Sequence, residues 1–564
     1  MKRKLIKIAL TFSLLVCLVL SLMVPSSALP INNVTDNYFY NLEYQAVDAP
    51  LAFTTEKVIS LSNLLGSSTS TTNTFCPSDV FFRNGLLYIL DRNGNRIYIL
   101  DEQYQVVSVV ERLSGDIPPL AIVQTSSGEE GEEGGSSGSS GGRSNTSFAS
   151  PEGIYVTEDE RIFVADTENQ RIVVCDRNGL VSKVYQSIRV SVLGENYVFK
   201  PTKIVVDNTG DLQIIASGIN RGIMQVDSDG NFRAFFGTPS VIVSLWERIW
   251  RAIATEQQQA SLNKFVPTEY SNLTVDSRGF IYPTTSALGE TAVMQLSRWS
   301  KTSNYAPVKK LTADGTDVLR RKGLAAPMGD LLWADYDVYP LIVDVAVDSD
   351  SGRYTLLDQR TGRFFTYDND GNLLYMGGGS GTQAGKFSNA CGLAINGDYY
   401  YVADSNNKTV TVFKATDYVH AINQATEATA NGLWEESIPL WNEVLNYNSN
   451  MFIAYIGLGK AEMRIGMTIL DDDLALEHYA RAVDYLSHAG EKENYSMAYA
   501  ALRTDQLEEN FTLIVVTAIV LIVGIMALVT WRKIVNQKKK KAAELAAAAI
   551  PKITKSFNKK RGDE

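Results

Sequence analysis

The stretch from Arg161 to Gly179, RIFVADTENQRIVVCDRNG, is the middle of a unit that the chain uses repeatedly. In full it reads SPEGIYVTEDERIFVADTENQRIVVCDRNGLVSKVYQ and parses into four segments, GIYVT, RIFVAD, RIVVCD and LVSKVY. They are alternating and β-branched, as half-buried strands are. The same parse fits LLYILDRNGNRIYILDEQYQVVSVV from Leu86, the run from Thr202 to Gly237, and NLTVDSRGFIYPTTS from Asn272. It fits again from Val343 to Gly378 and at GLAINGDYYYVADSNNKTVTVFK from Gly392. Self-similarity of this kind constrains the fold before any single residue does. Six four-stranded units in series predict an all-β six-bladed propeller. The sixth unit runs into helical sequence at Tyr418 and lacks its outer strand. The alternation of EKVISLS, Glu56 to Ser62, offers that strand from the N-terminal side and closes the ring without an open edge.

The inner G-hydrophobic-x-V-D strand and the V-A-D-x-x-N-x-R-I turn resemble those of the NHL-repeat family, over about Phe75 to Phe413. The resemblance implies a propeller and leaves activity open, because propellers host unrelated functions.

Beyond Thr416 the pattern becomes helical. Gly432 and Gly466 lie 34 residues apart, and Tyr455, Leu458 and Gly459 stand where tetratricopeptide repeats place an aromatic, a Leu and a Gly. Trp441 and Val444 fall on the packing face of the first helix pair, whereas Glu462 replaces the usual aromatic. Barely two such repeats predict a small all-α module.

The two ends address the chain to a membrane. Lys2, Arg3, Lys4 and Lys7, an apolar run from Ile8 to Val24 and small residues up to Ala28 read as a secretory signal, 1–28. FTLIVVTAIVLIVGIMALVTW, Phe511 to Trp531, carries no charge and is long enough to cross a bilayer. Arg532, Lys533 and Lys538 to Lys541 follow it, so the positive-inside rule places the tail, 532–564, in the cytosol and the rest outside. Between signal and tail lie an arm with the closing strand, 29–65, the propeller, 66–416, and the helical module, 417–508. A Gly/Ser/Glu insert at about 115–147 reads as disordered.

Charge and residue counts exclude several functions. The signal carries +4 and the tail +8 of a whole-chain −11, which leaves −23 on the body, and so acidic a surface argues against nucleic acid. Outside the signal there are three cysteines, Cys76, Cys175 and Cys391, too few for a disulfide framework. The three histidines, His420, His478 and His488, all fall in the helical part, so the propeller has no imidazole for zinc or proton transfer. A Ca²⁺ site of carboxylates and amides survives that test, although no Glu/Asn/Asp set stands out. DSDGN, Asp227 to Asn231, and DNDGN, Asp368 to Asn372, read as hairpin turns before Ca²⁺ loops. MGGGSGTQAGKF, Met376 to Phe387, reads as a flexible connection before a phosphate loop.

The repeated turn pairs Asp91 with Arg96, Asp166 with Arg171, and Asp358 with Arg363, each five residues apart. The sixth unit keeps Asp404 with Thr409, while Ser217 and Thr284 take the Asp position in the third and fourth. Three copies around a ring argue for a fastening, with the carboxylate accepting backbone N–H groups and the Arg bracing it. The three long inserts are all blade-to-blade connections and crowd one face; the helical part leaves from the other. A partner or ligand surface is therefore expected on the insert face, with Trp246, Trp250, Arg320 and Arg321 as candidates. The functional expectation is a non-catalytic, membrane-anchored extracellular binding or scaffolding protein with protein partners. Resemblance to bacterial membrane-tethered proteins of this layout implies an accessory role in carbohydrate uptake or in a cell-surface complex. Two alternatives stand beside it: a Ca²⁺-dependent sugar-lactonase-like hydrolase or lyase, and a scaffold acting through the tetratricopeptide-like module alone.

Overall fold

The structure, a computed structural model, describes residues 37–65, 75–121, 144–194, 197–237, 270–286, 306–331, 340–490 and 492–558. The signal, most of the Gly/Ser/Glu insert, Trp246 and Trp250 lie outside the described residues. The chain forms two compact units, Met1–Leu458 and Gly459–Glu564.

A short hairpin, β1 (Tyr38–Tyr40) and β2 (Ala46–Asp48), precedes the long strand β3 (Phe53–Ser60). Five four-stranded antiparallel sheets follow the repeat. The first is β4 (Pro77–Arg83), β5 (Leu86–Asp91), β6 (Arg96–Leu100) and β7 (Val106–Val110). The second is β8 (Gly153–Val156), β9 (Ile162–Asp166), β10 (Arg171–Cys175) and β11 (Val181–Gln186); the third is β12 (Pro201–Val206), β13 (Leu212–Ala216), β14 (Ile223–Val226) and β15 (Phe232–Phe236). Next comes a two-stranded sheet, β16 (Asn272–Val275) and β17 (Ile281–Thr284), onto which Val308 and Leu311 bridge antiparallel at Thr284 and Ile281. The next four-stranded sheet is β18 (Ile342–Val347), β19 (Tyr354–Asp358), β20 (Arg363–Tyr367) and β21 (Leu373–Gly378). The last joins β22 (Ala390–Asn396), β23 (Tyr399–Asp404) and β24 (Thr409–Ala415) to β3 from the other end of the propeller.

That last pairing closes the ring, with Val410 opposite Ile59 and Ala415 opposite Phe53. Phe53 meets the rings of Phe364, Tyr375, Tyr400 and Phe413 at centroid distances of 4.7 to 6.2 Å. Each blade is hydrophobic on both faces because each packs between two neighbours. Tyr88, Leu90 and Ile99 of the first sheet share a buried cluster with Ile154, Val164 and Val173 of the second. Ile89, Tyr98 and Leu100 share another with Ala403, Val410 and Val412 of the last.

Strands alternate in direction, so turns from first to second and third to fourth strand lie on one face, which also receives the chain as it leaves β24. There α1 (Asp417–Ala430) docks on the ring. Buried Arg353, at the start of β19, donates to Asn423 O at 2.7 Å and Thr426 Oγ1 at 3.0 Å and pairs with Asp348. Tyr375 Oη donates to Asn423 Oδ1 at 2.6 Å. Helices α2 (Trp434–Tyr447), α3 (Phe452–Gly466), α4 (Asp472–His488), α5 (Lys492–Glu509) and α6 (Phe511–Asn558) follow. A Cβ on Gly457 would lie 2.3 Å from the indole of Trp441 in the first unit. One on Gly459 would lie 2.4 Å from Leu486 in the second. Both positions are thus restricted to glycine by close packing. Glu462, the departure from the tetratricopeptide pattern, is buried and bound by His478 Nδ1 at 2.6 Å and Arg481 Nε at 3.0 Å.

Phe53→Ala leaves a hole where the ring closes. The expected loss is about 3–5 kcal/mol in chemical denaturation of the propeller, and an unchanged midpoint would show that β3 is dispensable.

Candidate functional site

The repeated aspartates sit at the ends of second strands, and all are buried. Asp166 accepts from Ala149 N at 2.7 Å, Asn169 Nδ2 at 2.9 Å and Arg171 Nε at 2.7 Å, with neither partner of the ion pair exposed. Asp91 accepts from Cys76 N at 3.0 Å and Gly94 N at 2.9 Å; Asp358 from Leu341 N at 2.8 Å, Arg360 N at 3.1 Å and Thr361 Oγ1 at 2.8 Å. Asp404 takes Ser388 N, Asn389 N, Asn406 N and Asn407 N at 2.6 to 3.2 Å. One carboxylate therefore ties the chain entering an inner strand to the turn that leaves the second. Burial pushes Asp91, Asp166 and Asp358 above the ordinary carboxylate range, against the pull of their donors.

The arginine half of the motif is not shared. Asp and Arg face each other in register, Asp91 with Arg96, Asp166 with Arg171 and Asp358 with Arg363, which explains the spacing of five. Yet Arg96 Nε donates to Gly94 O at 3.1 Å, and Arg363 Nη1 donates to Tyr38 Oη at 2.5 Å and lies 3.6 Å from Asp330. Tyr38 and Tyr40 both donate to Asp330, so Arg363 fastens the N-terminal hairpin instead. The positions of Ser217 and Thr284 also need correction. Ile215 pairs with Lys203 and Thr284 with Asn272, as Leu90 pairs with Asp79, so Ala216 and Thr285 hold the aspartate's place.

That register brings together residues that no sequence motif connects. The partners of Leu90, Ala165, Ile215, Thr284, Leu357 and Ala403 are Asp79, Gly153, Lys203, Asn272, Asp344 and Gly392, one from each inner strand. They form a ring around the central channel. Lys203 Nζ lies 2.8 Å from Asp79 Oδ2, an ion pair with angles short of a good hydrogen bond. Asp79 also accepts from Val80 N and Ile154 N at 3.0 and 2.9 Å. Asn272 Nδ2 donates to Asp344 Oδ1 at 2.5 Å, and Asp344 takes Val345 N at 2.7 Å and Leu393 N at 2.6 Å. Burial pushes the Asp344 carboxyl up to about 7; Lys203 opposes the rise and Asp79 adds to it. Burial works against the charge of Lys203, but Asp79 and Asp344 outweigh it and hold the ammonium above its ordinary value. The glycines let the ring close: a Cβ at Gly153 would meet Thr202 O at 2.4 Å.

The ring forms one end of a cavity of about 490 Å³. Phe81, Tyr155, Val205, Val275, Val347 and Ile395 line its walls, and Asn84, Ser349 and Asn396 its far end, on the turn face. The surface expected among the inserts lies largely outside the described residues, Trp246 and Trp250 included.

Asp79, Asn272 and Asp344 are the oxygen-bearing set that a Ca²⁺ reading requires, but they do not fit the ion. Lys203 already supplies the positive charge, Asn272 turns its amide nitrogen to Asp344, and its Oδ1 accepts from Leu273 N at 2.7 Å. A Ca²⁺ site takes six or more oxygens, and among the described residues no group of three or more acidic, His or Cys side chains is placed for a metal. Asp227 and Asp368 each accept two N–H groups of their own turns, from Asp229 and Asn231 and from Asp370 and Asn372, at 2.8 to 3.0 Å. Gly230 and Gly371 there have φ of +97° and +87°, as such turns require. The glycine-rich run is not a loose connection: Gly379 N and Phe387 N donate to Gly362 O and Gly379 O at 2.6 and 2.8 Å. Arg320 bonds Asp370 at 3.1 Å and stays exposed, whereas Arg321 is turned inward to Asp317 at 2.8 Å and is not part of a surface. The cysteines Cys76, Cys175 and Cys391 are free.

The model of the family described as NHL repeat matches residues 148–175. The chain carries an NHL repeat. The match covers β8 to β10 with Asp166 and Arg171 inside it. No curated protein matches the sequence. Among solved structures, virginiamycin B lyase from Staphylococcus aureus is similar at 9% identity and a TM-score of 0.35, over 64% of this chain and 99% of that one. A protein of unknown function from Bacteroides thetaiotaomicron is similar at 12% and 0.36, over 64% and 76%. The Cps50 (Swd1) propeller domain of Myceliophteria thermophila is similar at 10% and 0.36, over 64% and 100%. These likenesses say nothing of activity.

Two outcomes follow for the NHL repeat and the ring. Asp166→Ala leaves Arg171 buried without its ion-pair partner and is expected to cost about 3–5 kcal/mol in denaturant melts. Asp344, raised in the folded state, contributes stability that is full below the unfolded carboxylate value and lost as pH rises toward about 7. Stability of the wild type should fall over that window more steeply than that of Asp344→Asn; equal slopes would contradict a raised Asp344.

Proposed function

We propose that the chain is a non-catalytic, membrane-anchored binding or scaffolding protein. On this reading a six-bladed NHL-type propeller and a tetratricopeptide-like module stand outside the cell, and a basic tail lies in the cytosol. The β16–β17 sheet with its bridged segment is then the inner part of a sixth blade. The observation that carries the reading is α6: within Phe511–Ala547 its most apolar 18-residue window has a mean hydropathy of 3.0 and is 0% buried. Water does not tolerate so large an uncovered apolar surface, whereas a bilayer is its natural solvent. The binding half of the reading is supported by the ring, where Lys203, Asp79, Asn272 and Asp344 are engaged with one another and with backbone. A base or nucleophile has to be left available for substrate. The partner on this reading is a protein of a cell-surface complex, with carbohydrate as a further ligand class implied by the family resemblance.

Alkaline carbonate washing of membranes is expected to leave the full chain in the pellet and to release a chain ending at Asn510. Full-length protein in the supernatant would remove the span. Protease added to intact cells is expected to degrade the propeller and spare the tail epitope, and the reverse would invert the topology.

A further inference from the structure

The second unit carries an apolar patch that its own fold does not use. Met467, Leu470 and Leu474 are 45%, 100% and 45% exposed. They fall in and just after the turn between α3 and α4. α4 and α5 are joined by residues 489–491 and pack around Met463, Ala482, Leu486 and Ala498, so they run antiparallel. With 17 and 18 residues they are about 26 and 27 Å long at about 1.5 Å per residue. The end of α5 therefore returns to the level of the turn that begins α4. There α6 starts after a single residue, and Ile514 N donates to Asn510 O at 2.9 Å, a helical bond that carries the chain across the junction.

We propose that the α3–α4 turn, through Met467 and Leu470, rests in the headgroup layer of the bilayer that α6 enters and forms a second contact of the stalk with lipid. The proposal rests on the reading that α6 spans a membrane. Leu and Met side chains gain by leaving water for the boundary between headgroups and acyl chains, and they need penetrate only a few ångströms. Asp471, Asp472 and Asp473 beside them have a task of their own. Asp471 caps α4 by accepting from Leu474 N at 3.1 Å, and the other two occupy its first turn, where the helix dipole favours negative charge. They hold the turn's water side while the two apolar residues face lipid. A stalk touching lipid at two points is restrained in tilt, which a single span with one connecting residue does not provide.

The test places the full chain in phosphatidylcholine nanodiscs whose acyl chains carry a diazirine close to the glycerol, followed by illumination and peptide mapping. Adducts are expected within 511–531 and as a second group at Met467 to Leu470. Met467→Ser with Leu470→Ser should reduce the second group at least fivefold, leave the first, and leave the melting temperature unchanged. Adducts on 511–531 with none on the turn would overturn the proposal and leave the span standing. Adducts on neither would overturn both, and turn adducts that survive the double substitution would assign the contact to other residues and overturn it as well.

Discussion

A buried carboxylate at the end of the second strand is the interaction on which the propeller is organised. Asp91, Asp166, Asp358 and Asp404 each hold backbone N–H groups of the segment that enters the inner strand of the same blade. Without such an acceptor the buried Cys76 N–H would be left unpaired, at a cost of about 1–3 kcal/mol. Fixing the start of an inner strand also fixes its register, and the register decides which side chains reach the channel. The fastening at the rim and the ring inside it are therefore one construction: Leu90 beside Asp91 pairs with Asp79, and Leu357 beside Asp358 pairs with Asp344.

Inside the channel the same logic is applied to charge. Two carboxylates and an amide converge where a cation would be expected, and the chain supplies one itself in Lys203. Two buried carboxylates side by side call for a compensating charge, and the ammonium of Lys203, 2.8 Å from Asp79, supplies it. Asp344, farther from that compensation, is the group left near neutrality. The ring thus closes one end of the cavity as a polar plug.

The strands were legible in the sequence because alternation and β-branching recur with the unit, and the aspartates because one residue type returns at one place. The ring was not, because Asp79, Gly153, Lys203, Asn272, Asp344 and Gly392 differ in type and become equivalent only through register. One-residue bulges in β4, β12, β18 and β22 hide that register. Arg96 and Arg363 looked equivalent to Arg171, but a long side chain finds whatever acceptor its surroundings offer, Gly94 O in one blade and Tyr38 of the N-terminal hairpin with Asp330 in another. The hairpin itself, two three-residue strands, carries no periodicity long enough to read. The apolar helix was plain from composition, whereas the level at which it starts relative to Leu470 depends on the matched lengths of α4 and α5.

Lys203 is the channel's resident cation, and calorimetric titration of Ca²⁺ into the full-length wild type tests this most directly. No saturable heat is expected. One-site binding that Asp344→Asn abolishes would contradict it and make the channel a metal site.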